Sequence, residues 1–202
     1  MNIGIDIDNV ISNFNEVLLS EYLIHDKELR EKGIINKNAE YIRKGMFDWS
    51  EIEEENFYKE NIERIARKLD LIEGAKEYIN KLHEDGNTIY IITGRDNGEY
   101  LEPYTMTKKW LDSHNIYYDN LILTNAYNKH EKSEKCIENN IDVIIDDSVS
   151  ICRDCINNGI TTLLMDTPYN KYEKSIPKVY NWKEIFEYII EYKKEKLNVI
   201  LD

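Results

Sequence analysis

Two pairs of carboxylates close two apolar runs in this 202-residue chain. In Asn2-Ile3-Gly4-Ile5-Asp6-Ile7-Asp8, alternation along a strand puts Ile3, Ile5 and Ile7 on one face and Asp6 and Asp8 on the other. Val143-Ile144-Ile145-Asp146-Asp147 repeats the pattern. Crowded carboxylates repel, and a cation, a proton or a bound ligand must offset them. Two acid-tipped strands lying side by side would form a pocket for a hard divalent cation such as Mg²⁺. Groups of opposite taste follow or precede the other runs: Thr93-Gly94-Arg95 after Tyr90-Ile91-Ile92, and Lys129, Lys132 and Lys135 ahead of Val143. A hydroxyl, backbone N–H groups and an ammonium hold an anion as the acids hold a cation.

Positioning these groups requires a sheet whose strands all end at one edge. Strand-like runs near 2–8, 88–93, 120–124, 141–146 and 160–164 alternate with helical patterns near 74–85, 99–115, 132–139, 148–158 and 182–196. That alternation predicts an α/β fold with a parallel sheet and crossover helices on both faces. Ligands of such sheets bind beyond the carboxyl ends of the strands. The last helix has the clearest signature, with Asn181 as cap, Glu184 three residues on, and Trp182, Ile185, Phe186 and Ile189 in one stripe. Gly86 and Gly159 are placed to end helices just before strands. Residues 14–71 break the alternation with helical periodicity and no strand, and predict an insertion lying over the end of the first strand. The expected organisation is a core of 1–13 and 72–202 with a helical cap of 14–71.

A net charge of −13 argues against nucleic-acid polymers and anionic membranes as partners. No apolar run reaches the length of a membrane span, and a first strand starting at Asn2 leaves no expected room for a secretory leader. Three cysteines, Cys136, Cys152 and Cys155, suit reduced thiols in a cytoplasm. The pair Cys152/Cys155 has C-x-x-C spacing, but a single such pair within a helical pattern is read as packing.

Asp6-x-Asp8, Thr93 after an apolar strand, a lysine, and Asp146-Asp147, in that order, resemble the four motifs of the haloacid dehalogenase superfamily of phosphohydrolases. The resemblance implies a Rossmann-like core with a small all-α cap, and a Mg²⁺-dependent phosphomonoesterase working through an aspartyl-phosphate. It implies Asp6 as nucleophile and Asp8 as general acid and then base. Thr93, Gly94 and Arg95 would meet the phosphate, and a lysine would neutralise it. Lys132, in Lys132-Ser133-Glu134-Lys135-Cys136, best fits the motif, with Lys129 as the alternative. The cation would take Asp6, the backbone carbonyl of Asp8 and Asp146, with Asp147 acting through water or orienting Lys132.

Within the superfamily the chain looks like the 5′(3′)-deoxyribonucleotidase group, on the small helical insert, the Thr107-Lys-Lys-Trp110-Leu111 run and the short Ile-Asp-Asp ending. The aromatics Phe14, Phe47 and Trp49 of the insert could then stack on a base or simply pack. Thr-Gly-Arg and Asn9 depart from that group's usual pattern. The alternatives are a sugar-phosphate or other small-metabolite phosphatase and, more remotely, a receiver-type signalling domain or a non-catalytic phosphate-binding module. A homodimer is compatible with the apolar residues of the insert.

Overall fold

The structure, a computed structural model, describes residues 1–39, 41–96 and 98–201. Six parallel strands form one sheet in the order β3-β2-β1-β4-β5-β6. They are β1 (Asn2–Ile5), β2 (Thr88–Thr93), β3 (Asn120–Leu123), β4 (Val143–Asp146), β5 (Thr161–Met165) and β6 (Lys178–Val179). From β1 the chain builds one half of the sheet through β2 and β3, then returns to β1's other side with β4. The order reverses between β1 and β4, and a crevice opens at such a point beyond the strand ends. Both acid pairs therefore arrive at one place, because Ile5 pairs with Ile145 and the Asp6 N–H donates to the Ile145 carbonyl at 3.0 Å.

Strands covered on both faces read as continuous apolar runs. Ile3, Ile5, Ile89, Ile91, Val143, Ile145 and Leu163 face α3 (Ala75–Glu84) and α7 (Trp182–Leu201), joined by Ile79, Leu82, Trp182 and Ile185. Ile92 and Ile144 face the other way, with Cys136 of α5 (Glu131–Glu138) and Cys155 of α6 (Val149–Asn157). Gly4 lies on that second face, where an added Cβ would stand 2.6 Å from the Ile144 Cδ1 and close to Ile141 and Ile92. A side chain at position 4 would push β1 away from β4. The three cysteines are free thiols buried within this packing.

The remaining core helix is α4 (Pro103–Ser113), which starts four residues later than the periodicity suggests. Pro103 sits in its first turn, where a missing N–H does no harm. Between β1 and α3 run α1 (Phe14–Leu29) and α2 (Glu51–Ala66). The acidic stretch from Glu51 is the first turn of α2, and Ser50 and Glu53 close a capping box ahead of it. The two chain passages that join this helical segment to the sheet pair with each other. Ser12 bridges Leu71, the Asn13 N–H donates to the Asp70 carbonyl at 3.1 Å, and the Ile72 N–H to the Ile11 carbonyl at 2.8 Å. Among the described residues no helix is long and apolar enough to cross a membrane.

Candidate active site

Asp6 follows β1 directly, and the chain then folds back on itself. The Ile7 carbonyl accepts from the N–H groups of Val10, Ile11 and Ser12. This turn needs Asn9 at φ 64°, a conformation that asparagine tolerates better than most residues. The Asn9 side chain ties the turn down at both ends, accepting from the Asn15 N–H at 2.7 Å and donating to Asp147 at 2.9 Å.

Lys132 lies in the first turn of α5 and reaches the acids from beneath. Its ammonium donates to Asp6 Oδ1 at 2.8 Å and to Asp146 Oδ2 at 2.6 Å, and all three side chains are almost wholly buried. Lys129 is exposed and Lys135 pairs with Glu138 on the surface, so neither takes this place. The Ser148 N–H fixes the other oxygen of Asp146 at 2.8 Å. Asp6, Asp146 and Asp147 present carboxylate oxygens within 4.8 Å of one another.

One ammonium does not offset three carboxylates. Burial pushes the Asp6 carboxyl up to about 7, against the pull of Lys132 and with the help of Asp146 and Asp8. Asp147 is held well above the ordinary carboxylate range by burial, then by Asp146 and Asp6. Burial opposes the charge on Lys132, but Asp146 and Asp6 outweigh it and hold the ammonium above its usual range. A cluster of hard oxygen donors with excess negative charge has the chemistry that a divalent cation requires.

Asp8 stands apart from that cluster. Arg95 grips it with two bonds, Nε to Oδ2 at 3.1 Å and Nη2 to Oδ1 at 2.5 Å, and Ser12 adds a hydroxyl at 3.3 Å. Arg95 is itself 1% exposed, with its guanidinium 5.9 Å from the Trp110 ring. Burial works against its charge, and the Asp8 carboxylate more than restores it. Two polar atoms here are buried and without a partner among the described residues, Arg95 Nη1 and the Thr93 hydroxyl. Gly94 packs against the loop after β3, where a Cβ would lie 3.0 Å from the Ala126 Cβ.

Above this floor is a cavity of about 440 Å³ whose lining includes Asp8, Asp147, Gly94 and Lys129. Its walls are aromatic, with Phe14, Tyr41 and Tyr58 from the helical segment and Tyr100, Tyr127 and Tyr169 from the sheet side. Of the three aromatics singled out in the sequence, only Phe14 is here. Trp49 stacks on Tyr22 at 4.4 Å, Phe47 and Phe57 close around them, and Trp49 Nε1 donates to the buried Asp26. Phe47 and Trp49 therefore build the interior of the insert.

The sequence model of the 5′ nucleotidase, deoxy (Pyrimidine), cytosolic type C family matches residues 1–195. The chain belongs to this family. It is a haloacid dehalogenase phosphohydrolase of the 5′(3′)-deoxyribonucleotidase type, a nucleotidase-like phosphoric monoester hydrolase. A nucleotidase of Clostridium acetobutylicum is 28% identical over 196 residues, covering 92% of each chain. In fold, the chain is similar to a haloacid dehalogenase-like hydrolase from Streptococcus pneumoniae, with TM-score 0.63, 16% identity, and 93% and 97% of the two chains covered. A predicted phosphatase from Clostridium acetobutylicum superposes with TM-score 0.67 at 12% identity, over 94% and 98%.

Several residues of the site gave little or no signal in the sequence. Ser12 and Ser148 act through local hydrogen bonds, to Asp8 and Asp146, that no motif marks, and the departure at Asn9 did not show its partner, Asp147, at the end of another strand. Tyr41, Tyr58, Tyr100 and Tyr127 are four among 15 tyrosines, with nothing local to mark them. The Thr-Gly-Arg departure was a visible clue beside Asn9, since a charged residue directly after the phosphate-binding pair needs a partner.

Proposed function

We propose that this chain hydrolyses nucleoside monophosphates with Asp6 as nucleophile. The observation that carries the reading is a buried lysine spanning Asp6 and Asp146, next to Asp147 and to an aromatic cavity that Asp8 and Asp147 line. In this reading the Asp6 carboxylate attacks phosphorus and the ester oxygen departs with a proton from Asp8. Water, giving its proton to Asp8, then attacks the phosphorus of the aspartyl-phosphate and frees the Asp6 carboxylate. Lys132 offsets charge on Asp6 and on the phosphoryl group, and the Thr93 hydroxyl, unpartnered among the described residues, donates to a phosphoryl oxygen. Gly94 leaves its backbone N–H open to close approach. Asp6, Asp146 and the Asp8 backbone carbonyl would hold Mg²⁺, with Asp147 acting through water. The bound cation would neutralise charge developing on the phosphoryl oxygens. Residues 14–71 serve as the cap, supported by the paired linkers at Ser12 and Leu71 and by a cavity lined from both sides.

The test is phosphate release from nucleoside monophosphates and sugar phosphates, with Mg²⁺ and with EDTA. Release from nucleotides with Mg²⁺ and its loss in EDTA are expected. Release only from sugar phosphates would keep the mechanism and reject the substrate. No release from either would reject both.

Arg95 enters as a positioning residue. Both Asp8 oxygens are engaged by it, so Asp8 must free one to reach a leaving oxygen, and Arg95 sets where that motion starts. Arg95→Lys keeps the charge but not the two-pronged grip. It should lower kcat by about 10²-fold, the scale of a small misplacement of a reacting group, with KM little changed in steady-state kinetics. A raised KM at unchanged kcat would place Arg95 on the substrate instead.

A further inference from the structure

A second cavity of about 390 Å³ adjoins the one above the acids. Four residues line both: Arg43, Lys44, Glu99 and Tyr127. Three of them are bonded to one another. Arg43 Nη1 donates to Glu99 Oε1 at 2.6 Å and to the Tyr127 hydroxyl oxygen at 2.6 Å, and that hydroxyl donates to Glu99. The guanidinium also lies 4.2 Å over the Tyr58 ring. Arg43 comes from the insert between α1 and α2, Glu99 from the loop after β2 and Tyr127 from the loop after β3. The Arg43 and Glu99 side chains are 18% and 17% exposed, which sets this pair apart from loosely held surface ion pairs. Tyr100 lines the first cavity together with Asp8 of the acids and Glu99 and Tyr127 of this cluster. Beyond the cluster the second cavity is acidic, with Glu51, Glu54 and Glu55 in its lining.

We propose that Arg43, Glu99 and Tyr127 form a partition that sets how long a phosphate ester the site accepts. The inference rests on the phosphomonoesterase reading, with phosphate held at the acids and the organic group directed toward the partition. An ester ending at the partition fits the first cavity. One that continues past it meets a neutralised ion pair clamped from both sides of the cleft. Opening the partition joins the two cavities, and the carboxylates beyond favour a cationic extension over an anionic one.

The probes are thymidine 5′-monophosphate and the same nucleotide carrying a flexible amine-tipped chain on its base, the part farthest from phosphate. Both are titrated by calorimetry in EDTA into the wild-type protein, Arg43→Ala and Tyr127→Ala, and both are assayed for phosphate release with Mg²⁺. Tyr127 is largely exposed, so its variant serves should Arg43→Ala fail to fold. Either opened variant should raise the long-to-short affinity ratio at least about tenfold, or about 1.4 kcal/mol. Groups added to or removed from a pocket have effects of this size. A ratio unchanged from wild type, with both esters gaining or losing together, would reduce the cluster to a tie between insert and core and overturn the partition. Absence of binding by either ester to all three proteins would overturn it as well. If the wild type binds both nucleotides but releases phosphate from neither, the hydrolase reading falls, while the affinity ratio still decides the partition.

Discussion

Asp6→Asn should slow phosphate release by at least about 10⁴-fold, because removal of a nucleophile leaves only binding and electrostatic catalysis. The substitution preserves volume, and an amide oxygen can still accept from Lys132. Its second consequence separates lost chemistry from lost structure. Asp6 is buried with Asp146 and Asp147 close by and one ammonium between them, and burial already lifts its carboxyl to about 7. A carboxyl raised in the folded state stabilises the metal-free protein below its unfolded value of 3.8, and that contribution is lost as pH rises toward 7. A neutral amide has no such dependence. In EDTA at pH 8 the variant should therefore melt no lower than the wild type. Single-turnover phosphate release and thermal unfolding measure the two halves. A variant that keeps about half the wild-type rate would remove Asp6 from the nucleophile's role.

Parallel order and the strand-end acids were legible because burial on both faces and a ligand-facing edge are written in consecutive residues. Where reading faltered, the missing information was spatial. The first strand looked as if it ran to Asp8, yet the ladder ends at Ile5 and Ile7 is the anchor of a turn. Ile7 is as buried as Ile3 and Ile5, and periodicity sees burial, not dihedral angles. The two residues of β6 lie at the sheet edge, too short for any pattern. Lys132 could be preferred over Lys129 from motif spacing, but the reason it reaches the acids is that α5 begins at Glu131 and aims its first turn at β1 and β4. Phe47 and Trp49 have the composition of a base-stacking pair. Only the path of the segment after α1 shows them closing around Tyr22 instead. The Arg95–Asp8 grip joins residues 87 positions apart, and a sequence records neither partner's orientation.

Lys132→Met should lower kcat by about 10²-fold or more, the scale for loss of one preorganised charge donor, and should also destabilise the metal-free fold. Methionine fills most of the lysine's volume and leaves two buried carboxylates facing each other without their cation. Breaking a buried ion pair from one side destabilises by about 3–5 kcal/mol. The size of this loss should depend on pH in a direction set by Asp6. Burial and the neighbouring carboxylates raise its pKa, and the Lys132 ammonium lowers it. Without Lys132 the carboxyl rises further, so the stability lost between the unfolded value of 3.8 and the folded one grows. The variant should thus lie closest to wild type near pH 5, where Asp6 can keep a proton, and fall furthest behind at pH 8. Added Mg²⁺ should recover part of that deficit at pH 8 and little at pH 5, since a cation competes with protons for the same oxygens. Urea unfolding at the two pH values, with Mg²⁺ and with EDTA, reads all four states. An equal deficit at both pH values would mean that Lys132 contributes packing rather than charge at the floor of this site.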